Sequence, residues 1–312
     1  MTRPLRIGYK RAFYHITSRG NERKDIFKND SDCEKLLSYF GTATERYRAM
    51  IHVYCLMGNH YHLLLETPLG NLSQIMRHIN GAYTTYFNKK YQRSGHLLQG
   101  RYRAIVVDKD EYAVELSRYI HLNPVRSGIV NAPGGYRWSS YKHYTEKGKK
   151  PEWLFKDFIL GYFGKDIHKA QKKYRQFVHE LIGHEYGSPL QKGVASTILG
   201  GIDFIKMIKN KYLRDRKVER DVPALRELIL GPSIEEVKIK TKEVFEGESA
   251  IVKKAMLYLC HRYSGLALKE IGNYFGIGES AVSQSSYRFQ LVLDKDIELK
   301  RKIEQIKMSL IL

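Results

Sequence analysis

Two spacings of hydrophobic and polar residues alternate along the first half of this 312-residue chain. Residues 12–18 alternate aromatic and polar side chains, and 51–57 and 61–67 are short apolar runs rich in Val, Tyr and Leu, which predict strands. Leu36, Leu37, Phe40 and Ala43 within 31–48, and Ile75, Ile79, Tyr83 and Phe87 within 72–91, recur at helical spacing. A strand within 96–108 and a helix over 111–122, capped by Asp108 or Asp110, complete the order βαββαβ with one added helix. The pattern predicts an α+β fold in which helices cover one face of an antiparallel sheet and leave the other face for a ligand. Gly134-Gly135 and the run 147–151 mark the exit from this domain.

Beyond that exit the period is helical but interrupted. Aromatic helical pieces at 155–163 and 168–182 are separated by loop signals at Gly187-Ser188-Pro189 and Gly200-Gly201, which read as a helical connector. From 248 onward the pattern is cleanly helical and ends in Lys300-Arg301-Lys302. The expected division is therefore 1–147, a catalytic domain; 148–247, the connector; and 248–312, a small helical domain.

Charge says what kind of partner to expect. The chain carries a net +20, and the first 150 residues hold +13 of it, which favours a polyanion. A hydrophobic content of 43% supports packed cores and argues against disorder. No apolar run approaches the ~18 residues of a membrane span, and the opening residues lack the apolar core of a secretion signal, so a cytoplasmic protein with no membrane partner is expected. Cys33, Cys55 and Cys260 are too few and too scattered for a disulfide framework or a cysteine-based zinc site.

Two segments carry candidate chemistry. In Gly58-Asn59-His60-Tyr61-His62, strand geometry puts His60 and His62 on one side, as two imidazoles that could bind one metal. Spacing alone fits chance pairing as well. In the segment from Arg118 to Gly128, Tyr119 and Asn123 are i and i+4 neighbours on one helix face, so a phenol that could act as a nucleophile stands beside a ligand oxygen. The same residues also fit a plain helix end before Pro124. Tyr112, seven residues earlier, lies on nearly the same face and competes for the role of nucleophile.

Taken together, the His-hydrophobic-His strand and the Tyr-x-x-x-Asn-Pro helix resemble the single-tyrosine HUH transposases, in particular the REP-associated tyrosine transposases and the IS200-like insertion-sequence enzymes. The resemblance covers about residues 10–145 and includes Gly20-Asn21, Met57 through His62, Gly95 through Tyr102, and Tyr119 through Val130. Gly58 departs from it, standing where a proline is frequent. It implies a ferredoxin-like nuclease domain in which His60, His62 and Asn123 hold Mg²⁺ or Mn²⁺ and Tyr119 attacks the scissile phosphate, leaving a 5′-phosphotyrosine and a free 3′-hydroxyl. The implied substrate is single-stranded DNA beside a hairpin or palindromic element. The resemblance allows a homodimer without fixing the oligomeric state. Arg101, Arg103, Arg118 and Arg126 are the candidates for phosphate contacts near the cut. Two rivals compete with this reading: a catalytically silent DNA-binding descendant, and a zinc hydrolase, which the charge of the first half disfavours.

At the other end, residues 268–284 read as helix, glycine turn, helix, with Val282, Phe289 and Leu293 at buried spacing. This is similar to the C-terminal helix-turn-helix of the bacterial replication initiator DnaA, over about residues 250–295. The resemblance implies duplex binding, with Ser280, Ser283, Gln284 and Arg288 toward the major groove.

Overall fold

The computed structural model describes residues 5–184, 187–213, 222, 224–225, 228, 231–245 and 250–310. By contact the chain forms two compact units, Arg6–Gly201 and Ile202–Leu312, the latter with the first five residues. The first unit opens with β1 (Ala12–Arg19), α1 (Asp30–Tyr47), β2 (Met50–Met57), β3 (His60–Thr67), α2 (Leu72–Lys90), β4 (Arg103–Val107) and α3 (Lys109–Arg126). The sheet order is β2-β3-β1-β4-β5, where β5 (Ile198–Leu199) is a late addition that pairs parallel to β4. All other pairings are antiparallel.

The α1 helix starts where the sequence offers a reciprocal cap. Asn29 accepts from the Asp32 amide, and the Asp32 carboxylate accepts from the Asn29 amide in return. Leu36, Phe40 and Ala43 are its buried stripe. Phe40 packs on Tyr54 and Tyr61, and the Tyr61 hydroxyl donates to Asn80 of α2, whose amide donates to Ser18 of β1. Thus α1 and α2 cover the face of the sheet carrying Ser18 and Tyr61.

The opposite face was expected to stand open, and it does not. Phe13, Val53, Cys55, Leu64, Ile105 and Val107 are buried there against Leu116 and Ile120 of α3. The same core takes in α4 (Tyr141–Thr145), α5 (Asp157–Gly161) and α6 (Ile167–His179). Residues 155–182, read from sequence as connector, pack in this unit because Ile159, Leu160, Ala170, Tyr174 and Val178 bury their apolar surface in this core. His121 is sealed within this core between the Tyr174 and Ser140 hydroxyls, at 2.7 and 2.8 Å.

Two boundaries differ from the expected ones. The strand predicted within 96–108 begins only at Arg103, because residues 97–99 bond instead to the end of β1 (Asn21 N to Leu97 O, Gln99 N to Arg19 O) and Gly100 turns with φ +62°. Arg101 therefore precedes the strand rather than lying on it. The α3 helix runs on through Pro124 to Arg126, past the stop that a proline suggests. Pro124 has no N–H for the Ile120 carbonyl, and the Asn123 side-chain amide reaches back to that carbonyl at 3.4 Å and to the Tyr119 carbonyl at 3.0 Å.

In the second unit, α7 (Ile202–Ile208), α8 (Ile234–Phe245), α9 (Ala250–Tyr263), α10 (Leu268–Phe275), α11 (Glu279–Leu293) and α12 (Ile297–Ser309) are helical throughout. Val282, Phe289 and Leu293 enter a core with Leu259, Ile271 and Ile303. Three residues join α10 to α11, led by Gly276 in the left-handed region at φ +69°. A Cβ on Gly272 would sit 2.5 Å from the Ile277 carbonyl oxygen, so that turn closes only over glycine. No described helix is long and apolar enough to cross a membrane.

Candidate active site

Register brings the histidines together. His62 on β3 pairs with Thr17 on β1, which pairs with Arg103 on β4; one step along, His60 pairs with Arg19. His60, His62, Thr17, Arg103 and His15 thus share the α3 side of the sheet. Each imidazole is oriented by a neighbour. His60 Nδ1 lies 2.7 Å from Asn59 Oδ1, and Asn59 is itself held by its amide donating to the Arg23 carbonyl. Because Oδ1 only accepts, His60 Nδ1 carries the proton and Nε2 keeps its lone pair. His62 Nδ1 lies 3.0 Å from His15 Nε2 and 3.3 Å from Thr17 Oγ1. Either ring can carry the proton between them; where His62 Nδ1–H donates to His15, the Nε2 of His62 keeps its lone pair for coordination.

Burial sets the charge state. It lowers the His60 pKa to about 4, helped by the Arg19 guanidinium, and the His15 pKa to about 3, helped by Arg103. His62 is held well below its ordinary value by burial first and then by His15, His60, Arg19 and Arg126. All three rings are neutral at pH 7, the form in which imidazole binds a cation.

Tyr119 reaches this cluster from α3. Its ring lies edge-on to His62 and His15, with centroids 6.2 and 6.4 Å away, and the Arg126 guanidinium sits 4.9 Å from its centre. One turn on, Asn123 spends its two N–H donors on helix carbonyls, which fixes the amide and leaves Oδ1 as its free end. Tyr112 is placed differently. Burial and then Glu111 raise its pKa, and among the described residues it makes none of the histidine contacts that Tyr119 makes.

The arginines divide. Arg103 and Arg126 stand beside the cluster, while Arg101 lies away from it, before β4. Arg118 turns the other way: it stacks 3.9 Å over Phe177, bonds its carbonyl and pairs with Glu115 at 2.5 Å, with 12% of its side chain exposed. In the second unit Ser280, Gln284 and Arg288 are exposed and Ser283 is half-buried.

Sequence reading missed His15, Thr17, Asn59 and Arg19. The signal for Asn59 lay beside His60, but the other three depend on the β1–β3 register. Among the described residues no group of three or more His, Cys, Asp or Glu side chains could hold a metal ion.

No curated protein matches the chain. A solved structure of a REP-associated tyrosine transposase bound to a REP hairpin is similar over 48% of this chain and 89% of that one, at 18% identity and a TM-score of 0.42. The model of the family described as "Transposase IS200 like" matches residues 9–123, from the turn before β1 to Asn123, a span that takes in His60, His62 and Tyr119.

Proposed function

We propose that this chain is a transposase of the IS200-like kind, a single-tyrosine strand transferase that nicks and rejoins single-stranded DNA beside a hairpin. The observation that carries the reading is the Tyr119 ring standing against His62, whose Nδ1 is tied to His15, inside the segment that matches the family. The hairpin as substrate follows from the family resemblance. The β1-α1-β2-β3-α2-β4 order with its 2-3-1-4 sheet is read as ferredoxin-like.

In this mechanism His60, His62 and Asn123 would hold a divalent ion, Mg²⁺ or Mn²⁺. When bound, the ion supplies positive charge to the scissile phosphate and lowers the cost of charge developing on its oxygens. Imidazole favours manganese over magnesium, a hard ion that prefers oxygen. Arg103 and Arg126 hold the flanking phosphates. The Tyr119 hydroxyl gives up its proton to solvent and its oxygen forms the new bond to phosphorus as the bond to the 3′-oxygen breaks; the 3′-oxygen takes a proton from solvent and leaves as a hydroxyl, and the phosphotyrosine stays on the 5′ side. Reversal with a second 3′-hydroxyl joins strands without ATP.

The C-terminal unit is proposed to grip duplex DNA through α11, with Ser280, Ser283, Gln284 and Arg288 toward the major groove. Its support is the split of α11 into a buried side, Val282, Phe289 and Leu293, and an exposed side whose first turns carry Ser280, Gln284 and Arg288.

The test is a labelled single-stranded hairpin substrate with manganese, followed on a denaturing gel. A covalent adduct is expected, and His62→Ala should abolish it while hairpin binding stays within a few fold, because phosphate contacts elsewhere supply most of the affinity. No adduct with the unaltered protein would favour the catalytically silent rival, and full activity in His62→Ala would overturn the metal site.

A further inference from the structure

In the second unit, α8, α9 and α10 wall a cavity of about 440 Å³, within the range of small-molecule sites. Its floor is apolar: Val252 and Met256 of α9 and Phe275 of α10 are buried, and the Ala250 methyl adds to them. Its charge has one sign. Lys238 and Lys242 of α8 and Lys253 of α9 line it, and among the described residues no carboxylate does. Lys238 and Lys242 are i and i+4 on their helix, a like-charge spacing that weakens a helix rather than supporting it. Both are half-buried, which lays their aliphatic stems along protein and leaves the ammonium groups at the ends. The acids of α8 are turned to other tasks: Glu243 pairs with Lys240 at 2.7 Å, and Glu235 accepts from the Tyr274 hydroxyl at 2.9 Å and pairs with Lys238 at 3.3 Å across exposed surface, where solvent screens the attraction.

Cations around an apolar floor select the ligand by what they leave out. Besides the lysines, the one polar side chain in the described wall is Tyr274, and its proton is committed to Glu235. A base, a sugar or a peptide would bring N–H and O–H donors of its own to lysines that only donate, and donors shut away without acceptors are costly. Inorganic phosphate would use the lysines and leave the floor bare. A hydrocarbon would cover the floor and leave the ammonium groups beside it without an anion. An aliphatic chain that ends in a carboxylate uses the whole wall, because its head only accepts and its body is apolar.

We propose that this cavity binds an amphipathic carboxylate, its head held by Lys238, Lys242 and Lys253 and its aliphatic body seated on Val252, Met256 and Phe275. The site is independent of the strand-transferase reading, and its test reads neither cleavage nor DNA binding. The full chain is titrated by calorimetry with decanoate kept below its micelle concentration. One saturable site is expected, with decanol, which has the chain and no charge, and acetate, which has the charge and no chain, each binding at least about tenfold more weakly. Lys238→Gln with Lys253→Gln keeps side chains of similar reach and removes two charges outside the core, so the variant should melt like the unaltered chain and lose about tenfold in decanoate affinity. Decanoate carrying a diazirine at its tail should, on irradiation, label the peptides holding Val252, Met256 or Phe275. Phosphatidylglycerol vesicles separate a free ligand from a lipid headgroup: the double variant should sediment with them as the unaltered chain does. Decanol binding as tightly as decanoate, label confined to other peptides, or a double variant within about twofold of the unaltered chain would overturn the proposal. Sedimentation lost in the double variant, with no site for monomeric decanoate, would overturn it in favour of a membrane surface.

Discussion

His15 occupies Nδ1 of His62 at 3.0 Å, so Nε2 is the nitrogen of His62 turned away from that contact. His15 was not legible as part of the site because it lies 47 residues before His62 and meets it only through the β1–β3 register. The His60/His62 pair was legible, since i and i+2 of a strand share a face whatever the register. If His15 orients His62, its removal should act on affinity for the ion more than on the fold. We expect His15→Ala to weaken Mn²⁺ binding about 10–100-fold, measured by electron paramagnetic resonance titration without DNA. Binding unchanged in that variant would leave His15 as packing only. The choice of nucleophile also belongs to single residues. Sequence left Tyr112 and Tyr119 on one helix face, whereas the structure puts only Tyr119 against the imidazoles. Phenylalanine keeps the ring and deletes the hydroxyl, so Tyr119→Phe should bind the strand and form no adduct, while Tyr112→Phe should still form one. The reverse result on a denaturing gel would move the nucleophile to Tyr112.

Between elements, the contacts that set the frame of the site are polar as well as apolar. Asp32 in the first turn of α1 is buried and collects Lys90, Tyr91 and Tyr86 from the far end of α2, together with the amides of Lys28 and Asn29. Burial pushes its pKa up, but Lys90, the Lys28 amide and the two phenols outweigh burial and hold it below its ordinary value of 3.8. A carboxyl whose pKa is lowered by folding contributes stability in full above its unfolded value, and that contribution fades as pH falls through the folded value. Asp32→Ala should therefore cost about 2 kcal/mol at pH 7 from lost cap and hydrogen bonds. The gap between variant and unaltered protein should shrink below pH 4, as read from urea midpoints at pH 7 and pH 3. A gap that is constant across that range would show that the carboxylate charge contributes nothing. The start of α1 was readable from the sequence because a cap is local. The end of α3 was not, because a proline normally stops a helix and here Asn123 makes good part of the missing bond.

At the scale of the molecule, charge and pattern indicated a basic α+β body and a helical end, but not where one body stops. The sequence marks an exit near residue 147 through glycines and lysines, which are signals of a turn and of solvent, not of a finished core. Elements later in the chain complete that core: α5 and α6 bury Ile159, Leu160, Ala170, Tyr174 and Val178 against α3 and α4, and β5 closes the edge of β4 at Val106 and Val107. These contacts join residues far apart in the chain, which a local pattern does not report. Two truncations separate the readings. A chain ending at residue 147 would expose the apolar partners of those five side chains, Leu116, Ile120 and Tyr144 among them, together with an unpaired β4 edge, and should aggregate or melt without a cooperative transition. A chain ending at Gly201 keeps the whole unit and should melt cooperatively, form the Tyr119 adduct and bind the single strand, while losing affinity for a duplex element that the full chain binds. Duplex affinity equal to that of the full chain would take α11 out of DNA recognition. Cooperative folding of the shorter piece would show that α5, α6 and β5 decorate a core that is already complete.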